Sequence, residues 1–69
     1  MDKKREKKLL EEIIITLENE LFKHRLNERL FQRGVLLDPK LQEPLGQLQR
    51  AIKGGEKTLK FYNEVLGEY

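Results

Sequence analysis

The chain has 69 residues, no cysteine and one histidine, which allows one small domain and excludes disulfides, thiolate metal sites and a typical zinc site. The net charge is only +2, and charged residues of both signs, 38% of the total, are interspersed as on a solvated helical surface rather than clustered as in a nucleic-acid interface. So short a chain buries little apolar surface alone, and we expect a protein partner to stabilise it.

The first predicted element is a helix from about residue 3 to residue 33. Asp2 is a candidate N-cap, and Gly34 stands where a left-handed C-cap residue is common. The helix begins with a basic cluster that has Glu6, Glu11 and Glu12 nearby and no aromatic residue for base stacking, so we expect a solvated helix start and no nucleic-acid binding. The cluster consists of Lys3, Lys4, Arg5, Lys7 and Lys8.

Helix one carries two apolar faces at 100° per residue. One contains the predicted seam residues Leu10, Ile14, Leu17 and Leu21, together with Leu9, Ile13 and Phe31. The other contains Ile15, Phe22, Leu26 and Leu30. A single partner helix cannot cover both faces.

Two interpretations of the second face remain open. Either the apolar residues 35–37 fold over Leu26 and Leu30, or the face is a docking surface for another protein, to which Phe61 and Val65 of helix two also contribute.

A turn over residues 34–39 leads into helix two, predicted over residues 40–68. Asp38-Pro39 is a helix-start signal, but Pro44 leaves the start of the helix open by about five residues. Eight residues of helix two follow the alternating four-and-three spacing of a heptad seam, which requires a partner helix: Leu41, Leu45, Leu48, Ile52, Gly55, Leu59, Tyr62 and Leu66.

Gly54-Gly55 suggests a rival architecture of three short helices, because each glycine costs about 1 kcal/mol relative to alanine inside a helix. The heptad spacing continues unbroken beyond the glycines, which favours one continuous helix. We therefore predict one all-α domain over residues 1–69, an antiparallel two-helix hairpin of coiled-coil type. In this hairpin Leu17 pairs with Gly55, and Leu10 pairs with Tyr62.

Residues that carry chemistry are scarce. The sequence contains no phosphate-binding loop, dinucleotide fingerprint, nucleophile elbow or metal-ligand spacing, and His24, one turn from Glu28, is most simply a structural residue. We expect no catalysis, no cofactor and no metal. Without a signal-peptide core or an apolar run of about 20 residues, we expect a cytoplasmic protein.

Two stretches carry a family resemblance. Residues 29–34 read Arg-Leu-Phe-Gln-Arg-Gly, and residues 47–55 read Gln-Leu-Gln-Arg-Ala-Ile-Lys-Gly-Gly. Together with the turn between them, they resemble the YscE/PscE family of small type III secretion proteins over residues 29–59.

The resemblance implies a cytoplasmic co-chaperone hairpin. Members of that family bind a tetratricopeptide-like chaperone, and the pair keeps the needle subunit soluble before export. The resemblance also implies packing roles for Arg33, Gly34, Arg50, Ala51, Ile52, Gly54 and Gly55.

Two other functions remain as alternatives. A small phosphorelay regulator, similar to the two-helix aspartyl-phosphate phosphatases of spore formers, would need a Ser-Gln-x-x-Asp signature, but this chain has Leu45 and Gln49 at the expected positions. A self-associating structural coiled coil would need no chaperone, and the free chain could form a homodimer.

Overall fold

The computed structural model describes residues 2–69 and contains two long helices joined by a tight turn. Helix α1 spans Lys3–Leu37, a short 3-10 turn spans Pro39–Leu41, and helix α2 spans Gln42–Gly67. The helices run antiparallel, side by side, in a rod of 53 × 15 × 15 Å. The prediction of an all-α helical hairpin is confirmed.

The core is a single seam between the helices. Within residues 2–69 four side chains are buried, Ile14 and Leu21 of α1 and Leu45 and Ile52 of α2. The remaining predicted seam residues are partly buried: Leu10, Leu17, Leu41, Leu48, Gly55, Leu59, Tyr62 and Leu66. Each fully buried large apolar side chain contributes about 1.5–3 kcal/mol, so four of them make a small core.

Helix α1 continues to Leu37, four residues beyond the predicted end at Arg33, and the prediction of a left-handed C-cap at Gly34 is wrong. No glycine in residues 2–69 has a positive φ, and Gly34 lies inside the helix. The helix ends at Leu37, and its C-cap residue Asp38 has an extended backbone with φ of −141° and ψ of 102°. The cause is Pro39, because a proline disfavours the helical conformation of the residue before it.

Asp38 caps both the end of α1 and the start of the 3-10 turn. Its backbone N–H donates to the carbonyl oxygen of Gly34 at 2.8 Å, and its Oδ1 accepts from the backbone N–H of Lys40 at 3.0 Å. Helix α2 then begins at Gln42. Pro44 lies in its first turn, where backbone N–H groups have no partner within the helix, so the missing N–H breaks no helical bond.

The register of the hairpin differs from the prediction by one turn of α1. A Cβ added to Gly55 would lie 2.8 Å from Cδ2 of Leu21, so Gly55 faces Leu21 rather than Leu17. The cause is the extension of α1, which moves the chain reversal toward Asp38. When the turn moves by one residue along the chain, each residue of α2 pairs with an α1 residue two positions further along. Helix α2 continues through Gly54-Gly55, as the heptad spacing predicted.

Candidate docking surface

Five apolar side chains on α1 form a stripe that α2 does not cover, and we call it the back stripe. Their exposed fractions lie between 52% and 91%. At 100° per residue they fall within a sector of about 80°, turned away from the seam residues Ile14 and Leu21. The back stripe consists of Ile15, Phe22, Leu26, Leu30 and Leu37.

The interpretation in which residues 35–37 cover Leu26 and Leu30 is wrong. All three residues belong to α1, and a continuous helix cannot fold over its own earlier turns. Val35 is partly buried, whereas Leu36 is 86% exposed and Leu37 joins the back stripe. Sequence analysis missed Leu37 because it assigned residues 34–39 to a turn.

A second apolar surface lies at the open end of the hairpin, between the first turns of α1 and the last turns of α2. Phe61 and Val65 belong to this groove, and Phe22 instead borders a separate depression with Leu59 and Lys60. The predicted partner-binding residues are therefore divided between two surfaces. The open-end groove is lined by Leu9, Leu10, Ile13, Phe61, Tyr62, Val65 and Tyr69, together with Glu6.

Leu9 and Ile13 are about half exposed in this groove, although the sequence placed them on the seam face. Both precede a seam residue by one position, which puts them at the edge of the interface rather than in its centre. That position in the heptad was the available signal for their exposure.

Two polar contacts join the helices outside the seam. Arg25 Nη2 lies 3.1 Å from Glu56 Oε1, with both side chains more than half exposed, so the pair contributes little to stability. At the open end the Tyr69 hydroxyl donates to Glu6 Oε2 at 3.1 Å. This hydrogen bond, reinforced by the negative charge of Glu6, raises the pKa of Tyr69 above its ordinary value of 10.0.

Charge is unevenly distributed along α1. Residues 9–21 contain four glutamates and no lysine or arginine, whereas residues 22–37 contain four basic residues and a single glutamate. The basic residues Lys23 and Arg29 are exposed at the two edges of the back stripe, and the exposed Arg33 lies within its sector, between Leu30 and Leu37. A partner helix that covers this part of the stripe would be favoured by acidic residues along its flanks.

The residues named by the family resemblance behave in two ways. Gly34, Ile52 and Gly55 are buried or partly buried within the hairpin, whereas the others are exposed. The exposed ones are Arg33, Arg50, Ala51 and Gly54. The structure therefore gives these four residues no buried packing role inside the hairpin.

Metal-binding and membrane-spanning features are absent from the part of the chain that the structure describes. Residues 2–69 contain no group of three side chains placed to ligate a metal ion. None of the helices there combines the length and apolar character needed to cross a bilayer. His24 and Glu28 are each partly buried on α1.

Comparison of the chain with models of protein families, with curated proteins and with solved structures gives no match.

Proposed function

We propose that this protein is a small cytoplasmic co-chaperone subunit of a type III secretion system. It binds a tetratricopeptide-like chaperone, and through that chaperone it helps to keep the needle subunit soluble before export. Its own contribution is to cover apolar surface of a helical partner, without catalysis or cofactor.

The observation that supports this proposal is the exposed back stripe on a hairpin in which four side chains of residues 2–69 are buried. Burial of each large apolar side chain is worth about 1.5–3 kcal/mol, so five of them are sufficient for a complex after the cost of association is met. A groove between antiparallel helices, as in a tetratricopeptide repeat, offers the elongated apolar surface that such a stripe requires.

Co-purification with a tetratricopeptide-like chaperone encoded beside the gene for this chain tests the proposal. Phe22→Ser combined with Leu26→Ser should abolish capture of the chaperone and leave the helical circular dichroism of the free chain nearly unchanged, because both side chains are exposed. Leu36→Ser is the matched control, since Leu36 is an exposed leucine of the same helix outside the stripe. Equal capture by the double variant and the control would contradict the proposal.

Phe61→Ser combined with Val65→Ser separates the two apolar surfaces. Because these residues lie in the open-end groove, we expect a weaker effect on capture than from the back-stripe variant. The reverse order of effects would assign the chaperone to the open-end groove instead.

The two alternative functions make different predictions. A phosphorelay regulator would bind a response regulator or alter its dephosphorylation. A structural coiled coil would form a stable homo-oligomer that persists in the presence of the chaperone.

A further inference from the structure

The open-end groove has the form that an additional helix requires. Its two walls are rows of apolar side chains spaced four residues apart. They consist of Leu9 and Ile13 on α1 and of Phe61, Val65 and Tyr69 on α2. Rows with this spacing form ridges between which the side chains of another helix pack. An adjoining depression shares Leu9 and Ile13 and continues the surface to residue 20, so the two together span about 21 Å, or four turns of helix.

The apolar walls of the groove are in contact with water in the free chain. Phe61 is 60% exposed and Leu9 is 50% exposed. The ring of Phe61 packs edge to face against the ring of Tyr62, with 5.7 Å between the centroids, so an aromatic contact supports its position in the wall. An occupant that covers both walls gains the burial of these side chains.

The charges on the groove face are all negative. We define this face as the residues of α1 up to residue 24 that lie within about 60° of Ile13 around the helix. Its charged residues are Asp2, Glu6 and Glu20, and it contains no lysine or arginine. Glu6 lines the groove itself, and Glu20 lines the adjoining depression. The acidic character is local, because the whole chain carries a net charge of +2.

Charges at the edges of the groove face cancel and leave its sign unchanged. Arg5 and Lys23 along α1 are balanced by Glu12 and by Glu68 of α2. At the outer end Lys3 lies beside Glu6 and Glu68. The start of α1 and the end of α2 meet there, so the helix dipoles also oppose each other. The carboxylates of the groove face therefore decide which charge an occupant should carry.

We propose that the open-end groove binds a cationic amphipathic helix supplied by another protein. The helix lies along the groove with its apolar side chains between the two walls. Lysine or arginine side chains near its two ends meet Glu6 and Glu20. These two glutamates are fourteen residues apart in the sequence, about 21 Å along the helix, and bracket the apolar centre of the face. Complementary charges placed in this way fix the register of the partner.

The groove and the back stripe prefer partners of opposite charge. Nucleic acid or an anionic lipid surface would meet like charge on the groove face, whereas the back stripe favours a helix with acidic flanks. The two surfaces share no residue. The hairpin can therefore hold two helical partners at once, and the groove proposal does not rest on the co-chaperone proposal.

Fluorescence anisotropy with two labelled synthetic peptides tests the proposal on the full chain. Each peptide has about 18 residues, five turns of helix, with leucines at helical spacing in its centre. The first carries lysines beside its apolar face near both ends, and the second carries glutamates at the same positions. We expect the lysine peptide to bind, with an affinity that falls as the salt concentration rises. Absence of binding by the lysine peptide would overturn the proposal.

Two apolar variants locate the binding site. Leu9→Ser combined with Phe61→Ser should raise the Kd of the lysine peptide about tenfold or more, because both side chains are exposed in the groove. The matched control, Phe22→Ser combined with Leu26→Ser, lies in the back stripe and should change this Kd by less than about twofold. Circular dichroism checks that both variants remain helical. An equal or larger loss in the control would overturn the proposal.

A charge reversal tests the chemistry and does not depend on the apolar variants. Glu20→Lys should raise the Kd of the lysine peptide about fivefold and lower that of the glutamate peptide. The matched control, Glu18→Lys, makes the same change at an exposed residue outside the groove face and should leave both constants nearly unchanged. Equal effects of the two reversals would mean that net charge attracts the peptide, and this result would overturn the proposal.

The groove proposal and the co-chaperone proposal fail separately. Chaperone capture depends on Phe22 and Leu26, whereas peptide binding depends on Leu9 and Phe61. Equal chaperone capture by the back-stripe variant and its control would overturn the co-chaperone proposal alone. Self-association that the Leu9→Ser, Phe61→Ser variant loses, without binding of the lysine peptide, would assign the groove to a second copy of the chain and overturn the groove proposal alone.

Discussion

Leu21 of α1 packs into the space that Gly55 leaves on α2. A Cβ at residue 55 would lie 2.8 Å from Cδ2 of Leu21 and 3.5 Å from its Cγ. The first distance is too short for a real contact, so an added Cβ would require the Leu21 side chain to shift. Leu21 is also one of the four buried side chains. The glycine therefore lets a full-sized leucine occupy the seam and fixes which turns of the two helices lie opposite each other.

The same relationship predicts a large difference between two adjacent glycines. Gly55→Leu should lower the free energy of unfolding by about 1–3 kcal/mol, because the added side chain overpacks the seam against Leu21. Gly54→Leu is the matched control: a Cβ there has no atom within 4 Å, and better helix propensity should raise stability by up to about 1 kcal/mol. Urea unfolding of both variants measures the difference, and equal effects would mean that residue 55 is not in the seam.

The register can also be tested by intrachain cross-linking. Cysteines at residues 21 and 55 should oxidise readily within one chain, because Cγ of Leu21, close to the position of a cysteine sulfur, lies 3.5 Å from the added Cβ. Cysteines at residues 17 and 55 should oxidise more slowly, since residue 17 is one turn away. Faster closure of the second pair would restore the register that the sequence predicted.

At the turn, loss of the Asp38 side chain should destabilise the hairpin. Asp38→Ala removes the acceptor for the Lys40 N–H, at a cost of about 0.5–2 kcal/mol, whereas Asp38→Asn retains an acceptor and should cost less. Thermal unfolding of the three proteins measures the order. If Asn and Ala are equally destabilising, the charge of Asp38 matters more than its hydrogen bond.

The sequence was sufficient for the helices and the seam, because heptad spacing is a direct consequence of helix geometry and burial. It was insufficient for the register, because this depends on where the chain reverses. Gly34 is a common C-cap residue, yet a Cβ there would lie 2.7 Å from Cδ1 of Leu41, so its missing side chain makes room for the returning chain. The local signal that ended α1 was Pro39, acting on Asp38.

The exposed apolar surfaces were only partly predictable for a related reason. Phe22 and Leu26 were placed correctly on an exposed face, because helical periodicity alone separates them from the seam. Phe61 lies on a different surface from Phe22. The pattern of a single helix could not reveal this separation, because it depends on how the two helices are rotated relative to each other. Leu37 joined the stripe only because α1 is longer than predicted.

At the open end, the Tyr69–Glu6 hydrogen bond predicts a pH dependence of stability. Because this bond raises the pKa of Tyr69 above 10.0 in the folded protein, its stabilising contribution is fully present below pH 10 and is lost as the pH rises through the folded-state pKa. The variant Tyr69→Phe lacks the hydroxyl but has the same lysines. The difference in stability between the two proteins therefore reports the Tyr69 hydroxyl and not the titration of lysines. Urea unfolding should show the unmodified chain to be the more stable of the two at pH 8. The difference should disappear or reverse once the pH exceeds the raised pKa of Tyr69, where the phenolate and the Glu6 carboxylate repel each other. A difference that is constant across this range would show that the hydroxyl does not bond to Glu6 in solution.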